Sequence, residues 1–497
     1  MAVADNLLLV DLRDQAPLAL SDLTRQCAQR LAAGERLLML FGRPDADNAI
    51  GALRVTAVLL AAPGTQGGLS VLRAQARAGE HYPALSASFP AAQALERELW
   101  EQTGLTPDGH PWLKPIRFEG ARQQHMGDYP FFSVRGQEVH EVGVGPIHAS
   151  VIEPGHFRFM CLGEQVHHLE IQLGYQHRGV EALLLRRPPL ALAPLVESIC
   201  GDSTVAYAWG YCAAIEALCG LQIPLDLDLR RGVALELERI AMHLASLGGL
   251  ATDIAFLQGG GSYGRLRTAI INASQRICGN RFGRGWLRPG QARGLDAAQR
   301  ADLVQTLQAF QKDFTEVNTL MNGSLSVAAR FKGVGVVSLL AARELGLLGP
   351  VARASGVALD ARSQLPGPLY GAHPLELLTQ TSGDCWARMQ LRMCEVQQSL
   401  QWLLALLAGP ASLQPSQPLV PAALRGEALC VSLIEGTRGP VLQALETSAQ
   451  RQLLHYKVQD PSLPNWFGLA MALRENAISD FPICNKSFDL SYCGNDL

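Results

Sequence analysis

The sequence predicts an α+β protein of two units: a small N-terminal α/β domain, then a mainly helical domain that carries a small antiparallel sheet. Three observations lead there. The chain has 497 residues, too many for one ordinary core. Its early part alternates short apolar runs with Gly, Asp and Pro turns. Its later part repeats apolar residues at spacings of three and four over long stretches. Hydrophobic residues at 48% and charged residues at 18% exclude a disordered chain.

In the first unit, RLLMLFGR (36–43), LRVTAVLLA (53–61) and LSVLRAQ (69–75) read as strands. AAQALERELWEQTG (91–104) reads as a helix stopped by Gly104. Turn-rich and irregular polar sequence follows. It sets the first domain at 1–120, a linker at 121–143 and the second domain at 144–497. In the second unit HFRFMCLGEQVHHLEIQLG carries short apolar stretches broken by glycine, as a small antiparallel sheet would. Helices are expected after it. Val233, Leu237, Ile240, Leu244 and Leu247 form one apolar stripe, with Glu236, Glu238, Arg239 and His243 off it, facing solvent or a partner. Further helices are expected at 263–279, 297–321, 383–407 and 438–454, with the Pro-rich 409–426 as a loop.

Composition also bounds function. A net charge of −3 gives no sign of a nucleic-acid surface. The longest apolar candidate, WLLALLAGPA from Trp402, is too short to span a bilayer, and the opening MAVADNLLLVDLRDQ lacks a basic leader before an apolar core. A soluble or peripheral protein on the cytoplasmic side is expected. The eleven cysteines include no C-x-x-C pair, so local spacing supports neither a zinc ribbon nor a ferredoxin-type cluster. Cys212 and Cys219 are expected in the core.

Several longer motifs add a resemblance. ERELWEQTGLTPDGHPWLKPI resembles the C subunit of respiratory complex I. VGPIHASVIEPGHFRF, YQHRGVEALL, ELERIAMHLASLG, VARASGVALDAR and SGDCWARMQLRMCEV resemble its D subunit. They resemble still more the large subunit of membrane-bound, energy-converting nickel–iron hydrogenases such as formate hydrogenlyase, in which the two units are fused in this order. The resemblance implies an oxidoreductase subunit on the cytoplasmic face of the inner membrane. It implies three partners: a small iron–sulfur subunit like the complex I B subunit, a ferredoxin-like subunit, and antiporter-like membrane subunits that pump ions.

It also implies a site, and there the sequence departs from the family. The hydrogenases hold nickel and iron with two C-x-x-C pairs, because two of the four thiolates bridge the metals and must be soft, strong donors. Here the early pair is Cys200-Gly201-Asp202-Ser203, and the late one is Ser491-Tyr492-Cys493-Gly494. Serine and glycine cannot replace thiolates, so no nickel–iron centre is expected and these positions are remnants. Glu153, in EPGHFR, matches the family's proton-passing glutamate; an ordinary ion-paired glutamate is the alternative. Arg438, in IEGTRGP, matches the arginine over the pocket, with an ion pair to Asp360 as the alternative. His177 and Arg178 match residues facing the partner's iron–sulfur cluster, and Arg239 and His243 are assigned the same environment. Complex I uses the equivalent cavity for quinone. His148 matches the first histidine of its loop, but the quinone-binding histidine is replaced around Glu153–Pro154 and the tyrosine's place falls near Gly201. Tyr207 and Tyr211 are the substitutes that keep quinone open. Direct NAD(H) binding is disfavoured, since LQGGGSYG (257–264) has glycines without the strand–turn–helix framing. A scaffold without redox activity, an active hydrogenase and a quinone reductase stand as alternative readings.

Overall fold

The computed structural model describes residues 2–45, 50–62, 64–65, 67–120, 125–134, 136, 138–149 and 152–497. The chain opens with β1 (Ala2–Ala4) and β2 (Leu7–Asp11). The N-terminal sheet then follows from β3 (Leu18–Ala19), β4 (Arg36–Pro44), β5 (Ala52–Leu60) and β6 (Leu69–Arg77), in the order β3-β6-β5-β4. The three longer strands lie where the apolar runs and turns place them. Helix α1 (Leu20–Ala32) packs Leu20, Leu23 and Cys27 onto this sheet. Helix α2 (Gln93–Thr103) ends on Gly104, whose φ of 81° suits a residue without a Cβ.

The acidic residues of α2 are structural. Glu96 accepts from the Leu85 and Ser86 amides at 2.8 and 3.0 Å. Glu101 accepts from Ile116, Arg117 and Glu119. Glu98 pairs with Arg117 and, at 2.6 Å, with Lys457 of the second unit. These carboxylates therefore satisfy backbone amides on both sides of α2, Glu96 before it and Glu101 after it, while Glu98 ties the helix to the second unit.

The second unit begins with a three-stranded antiparallel sheet of β7 (Val139–Val144), β8 (His156–Leu162) and β9 (Gln165–Gln172), with β8 in the middle. The linker expected at 121–143 thus ends early, because residues from Val139 onward pair with β8. Positions 121–124, 135 and 137 of that expectation lie outside the described residues. Five long helices follow: α3 (Thr204–Leu218), α4 (Leu225–Asp253), α5 (Leu257–Cys278), α6 (Ala297–Gly323) and α7 (Cys385–Ala408). LQGGGSYG forms the first turns of α5. A Cβ on Gly259 would fall 2.5 Å from the Phe256 ring, so that glycine serves the tight turn between α4 and α5.

The expectation of a helix at 438–454 is wrong. The chain there makes β10 (Ala428–Gly436), β11 (Gly439–Thr447) and β12 (Leu453–Gln459). Every residue of β10 and β11 is buried. A strand enclosed on both faces loses the polar–apolar alternation that would mark it, and periodicity alone does not separate it from a helix. These strands join β1 and β2 in a five-stranded sheet ordered β1-β2-β10-β11-β12, with Leu8 opposite Val431. The short helices α8 (Phe481–Phe488) and α9 (Tyr492–Asp496) close the fold.

The expected first domain, 1–120, also sends its opening strands into the second unit. Residues 2–11 lie in the second unit's sheet, and Arg43 and Arg73 both reach Glu446 on β11, at 2.7 and 2.6 Å. The first unit is interleaved with the second and is not a freestanding domain.

The polar face of α4 meets neither solvent nor a free surface: Glu236, Arg239 and His243 are 0% exposed and Glu238 8%. Glu236 binds Arg239 at 3.1 Å, Arg362 at 3.3 Å, Tyr370 at 2.6 Å and Ser399 at 2.5 Å. Glu395 on α7 binds His243 and Arg353, each at 2.8 Å, and Arg353 continues to Glu435 of β10 at 2.7 Å. Opposed charges let a helix with a polar face sit inside the protein.

Replacing Arg353 by Met strips a cation from Glu395 and Glu435 together. The expected loss is about 3–5 kcal/mol of stability, read as a lower urea midpoint of the purified chain. His243 adds a pH dependence. Burial pushes its imidazole down to about 4 from 6.5, against the pull of Glu395. Between those values the unfolded chain binds the extra proton, so stability falls as pH drops through the window, by about 1.4 kcal/mol per unit. His243→Gln should lack that component in unfolding curves measured across the window.

Candidate functional site

Cys200 lies in the turn before α3. Glu238 fixes that turn by accepting from the first amides of α3, Val205 at 2.6 Å and Ala206 at 3.2 Å, and burial pushes its carboxyl up to about 8. The segment after α8 comes in from the other side. The Ser491 hydroxyl stands 3.1 Å from Cys200 Sγ and 3.5 Å from Cys493 Sγ, and it caps α9 by accepting from the Gly494 amide at 2.9 Å. Ser203 is buried at the start of α3. Glu153, half-buried on the loop before β8, accepts from the Tyr492 amide at 3.3 Å.

Arg438, in the turn between β10 and β11, closes this cluster. It donates twice to Asp202, at 2.8 and 2.8 Å, and also to the Asp489 carbonyl. Its guanidinium lies 3.3 Å from Ser203 Oγ and 3.8 Å from Cys200 Sγ. Burial would raise the Asp202 carboxyl, but the Arg438 charge outweighs it and holds the group below its ordinary value. The neighbouring Cys493 thiol, burial and Asp202 together push the Cys200 thiol far up. The ion pair expected between Arg438 and Asp360 does not form: Asp360 pairs with Arg362 at 2.8 Å.

His177 and Arg178 stand on the adjoining loop after β9. Asp496 of α9 accepts from the Gly174 and Gln176 amides, both at 2.9 Å, so this loop and the Cys493 segment move as one piece. His177 bonds the Asp496 carbonyl at 2.8 Å and lies 3.3 Å from Glu119. Arg178 is exposed and donates to the carbonyls of Ser198 and Ile199, immediately before Cys200. Arg239 and His243 do not share that surface. Both are sequestered in the α4 network, and Arg239 donates to the Glu435 and Gly436 carbonyls at 2.6 and 2.9 Å, beneath the Arg438 turn. The structure therefore gathers Glu153, Cys200, Ser203, Arg438, Ser491, Cys493 and Gly494, with His177 and Arg178 beside them.

Three participants were not singled out for these roles. Asp202 partners Arg438. Asp460 accepts from the Tyr207 hydroxyl and, at 2.6 Å, from the Ser462 amide. Cys385, the first residue of α7, and Cys484 on α8 face each other at 4.0 Å. No local spacing signals the last two contacts, since their partners are remote in sequence. Tyr211 bonds the Pro189 carbonyl at 2.6 Å, and the His148 ring bonds the Gly155 carbonyl at 2.8 Å. Cys212 is buried in the core, while Cys219 is half-buried and contacts the Ala422 carbonyl.

A nickel–iron centre does not fit these residues. Cys200 and Cys493 are the only thiols in the cluster among the described residues. At the fourth ligand position, a Cβ on Gly494 would fall 2.2 Å from Asp460 Oδ2, an atom that Tyr207 holds in place. A cysteine there would have to displace that carboxylate.

Comparison with known proteins places the fold. The family model for the respiratory-chain NADH dehydrogenase 30 Kd subunit matches residues 23–130, and that for the 49 Kd subunit matches 262–411. The carbon monoxide-induced hydrogenase of Rhodospirillum rubrum is 30% identical over 354 residues, covering 70% of this chain and 96% of that protein. The chain belongs to the family of complex I 30 kDa and 49 kDa subunits, fused in one polypeptide. Within this family, formate hydrogenlyase subunit 5 of Escherichia coli (strain K12) is 29% identical over 493 residues, covering 93% of this chain and 85% of that one. A chain of the membrane-bound sulfane sulfur reductase, an archaeal respiratory membrane complex, shares the fold with a TM-score of 0.66 at 22% identity, covering 73% of this chain and 99% of that chain. The family consists of oxidoreductase subunits of complex I-like and hydrogenase-like complexes. Among the described residues no helix is long and apolar enough to cross a membrane.

Exposure separates the two thiols of the site. Cys200 is 1% exposed whereas Cys493 is half-buried. Brief treatment of the native protein with iodoacetamide should therefore label Cys493 ahead of Cys200, as read by peptide mass spectrometry. Equal labelling would mean that the cluster opens readily.

Proposed function

We propose that this chain is the large subunit of a membrane-associated, complex I-like oxidoreductase that works without a nickel–iron centre. It exchanges electrons with an iron–sulfur partner subunit and helps couple that exchange to ion movement through antiporter-like membrane subunits, from the cytoplasmic face. The observation that carries this reading is what stands at the four ligand positions: one thiol, two hydroxyls and a glycine, with Cys493 one place aside and the Arg438–Asp202 pair drawn across them. Support for the electron partner comes from the loop bearing Arg178, whose exposed guanidinium is anchored to the backbone leading into Cys200. A cation there favours the reduced form of a nearby cluster by Coulomb attraction. The membrane setting is supported by the relatives' names, among them the membrane-bound hydrogenase subunit alpha of Pyrococcus furiosus.

The same closed cluster favours a second reading, a scaffold that joins the partner to the membrane arm without redox work of its own. Cys200→Ala decides between them: an active site loses turnover in the assembled complex, and a scaffold does not.

Two measurements test the first reading. The purified complex should hold no stoichiometric nickel and evolve no hydrogen; one nickel per chain in active complex would end the proposal. Arg178→Ala should leave the complex assembled, slow electron transfer and shift the partner's cluster potential negative by tens of millivolts, on the order expected for losing one nearby charge. An unchanged potential and rate would make Arg178 structural.

A further inference from the structure

A cavity of about 770 Å³ lies between the N-terminal sheet and the helical unit, away from the cysteine cluster. Its size falls within the range of about 300–1,000 Å³ usual for small-molecule sites. Leu38, Leu60, Phe89, Leu348 and Leu359 supply apolar wall. In the lining one buried amide is left without a partner and one guanidinium without a counter-charge among the described residues. Gln459, the last residue of β12, is 2% exposed, and both its amide oxygen and its amide nitrogen lack a hydrogen-bond partner among the described residues. Arg36, the first residue of β4, donates to the Leu347 carbonyl at 3.0 Å and forms no ion pair among them. Burial and the nearby Arg343 push its guanidinium down to about 10, the effect of a site short of negative charge. Of the two carboxylates in the lining, Glu35 is held by Arg30 at 2.7 Å and Glu344 is exposed.

A buried amide with neither donor nor acceptor met is uncommon, and a guanidinium leaves most of its five donors free after one carbonyl contact. The Arg36 guanidinium and the Gln459 amide nitrogen are both supplied by a ligand whose acidic head offers oxygens that accept from them, joined to an apolar body. From this geometry we infer that the cavity between the two units is a binding site for an anionic amphiphile, such as a long-chain carboxylate or an acidic phospholipid, with its head toward Arg36 and Gln459 and its chain against the leucine wall. The inference is independent of what occupies the cysteine cluster.

The test uses the full chain within its purified complex and cis-parinarate, a fluorescent long-chain carboxylate, as the probe. Saturable binding is expected, displaced by oleate or by phosphatidic acid vesicles but not by oleyl alcohol, which has the same chain without the charge. Displacement by oleate alone assigns a free acid, by phosphatidic acid alone a lipid, and either supports the site. Arg36→Met should weaken binding by about tenfold or more, the loss of a charge-assisted hydrogen bond. Gln459→Leu should weaken it while leaving the ligand-free protein as stable as before or more so, since it removes an unpaired buried amide. That variant keeps the test decisive if Arg36→Met folds poorly. Absence of saturable binding overturns the inference, as does equal competition by the alcohol, binding unchanged in both variants, or a protein segment of another subunit found filling the cavity.

Discussion

The structure hangs on a set of charges taken out of water and made to face one another. Glu236, Glu395 and Glu435 are met by Arg239, Arg353 and Arg362 where α4, α7 and β10 converge. Each of these groups would be prohibitive to bury alone, and each is tolerable because its neighbours are fixed at hydrogen-bond distance. The network gives three elements one shared position that hydrophobic contact, being non-directional, would not specify. It also reaches the site, since Arg239 holds the carbonyls of Glu435 and Gly436 just ahead of the Arg438 turn. Gly349 completes that support: any Cβ there would fall 2.0 Å from the Arg438 carbonyl. Arg438 thus keeps its place through the backbone beneath it, whatever stands in the pocket.

What stands there is an electrostatic substitute. Four thiolates around two metals would gather negative charge, and an arginine above them would balance it. With hydroxyls at Ser203 and Ser491 and bare backbone at Gly494, the guanidinium is paired with a carboxylate of the adjacent loop. At Gly494, Asp460, held by Tyr207, occupies the volume that a side chain would need. A Gly494→Cys exchange would therefore meet Asp460 before any other group.

The sequence made much of this legible, for identifiable reasons. The strands of the N-terminal sheet announced themselves through turns, and the long helices through spacing. The departures at Ser203, Ser491 and Gly494 were visible because a ligand pattern depends on residue type. Reading failed where burial was complete. Arg239 and His243 appeared to belong to an outward face because spacing records polarity and not what meets it; their partners Glu395 and Glu435 lie far along the chain. β11 appeared helical because both its faces are enclosed. Asp202, Asp460 and the Cys385–Cys484 contact depend on segments that only the fold brings together, and no local pattern encodes them.

The pairing of β2 with β10 has a consequence for how the protein is made. Leu8 finds its partner at Val431, so β2 must wait for its neighbour until translation reaches β10. Meanwhile Leu7, Leu8, Leu9 and Val10 form an apolar run with unsatisfied backbone, the kind of segment that pairs wrongly when left uncovered. The helical unit cannot complete its five-stranded sheet before then. The five-stranded sheet is therefore closed late in synthesis, and β2 stays exposed to wrong pairing until translation reaches the residues that receive it.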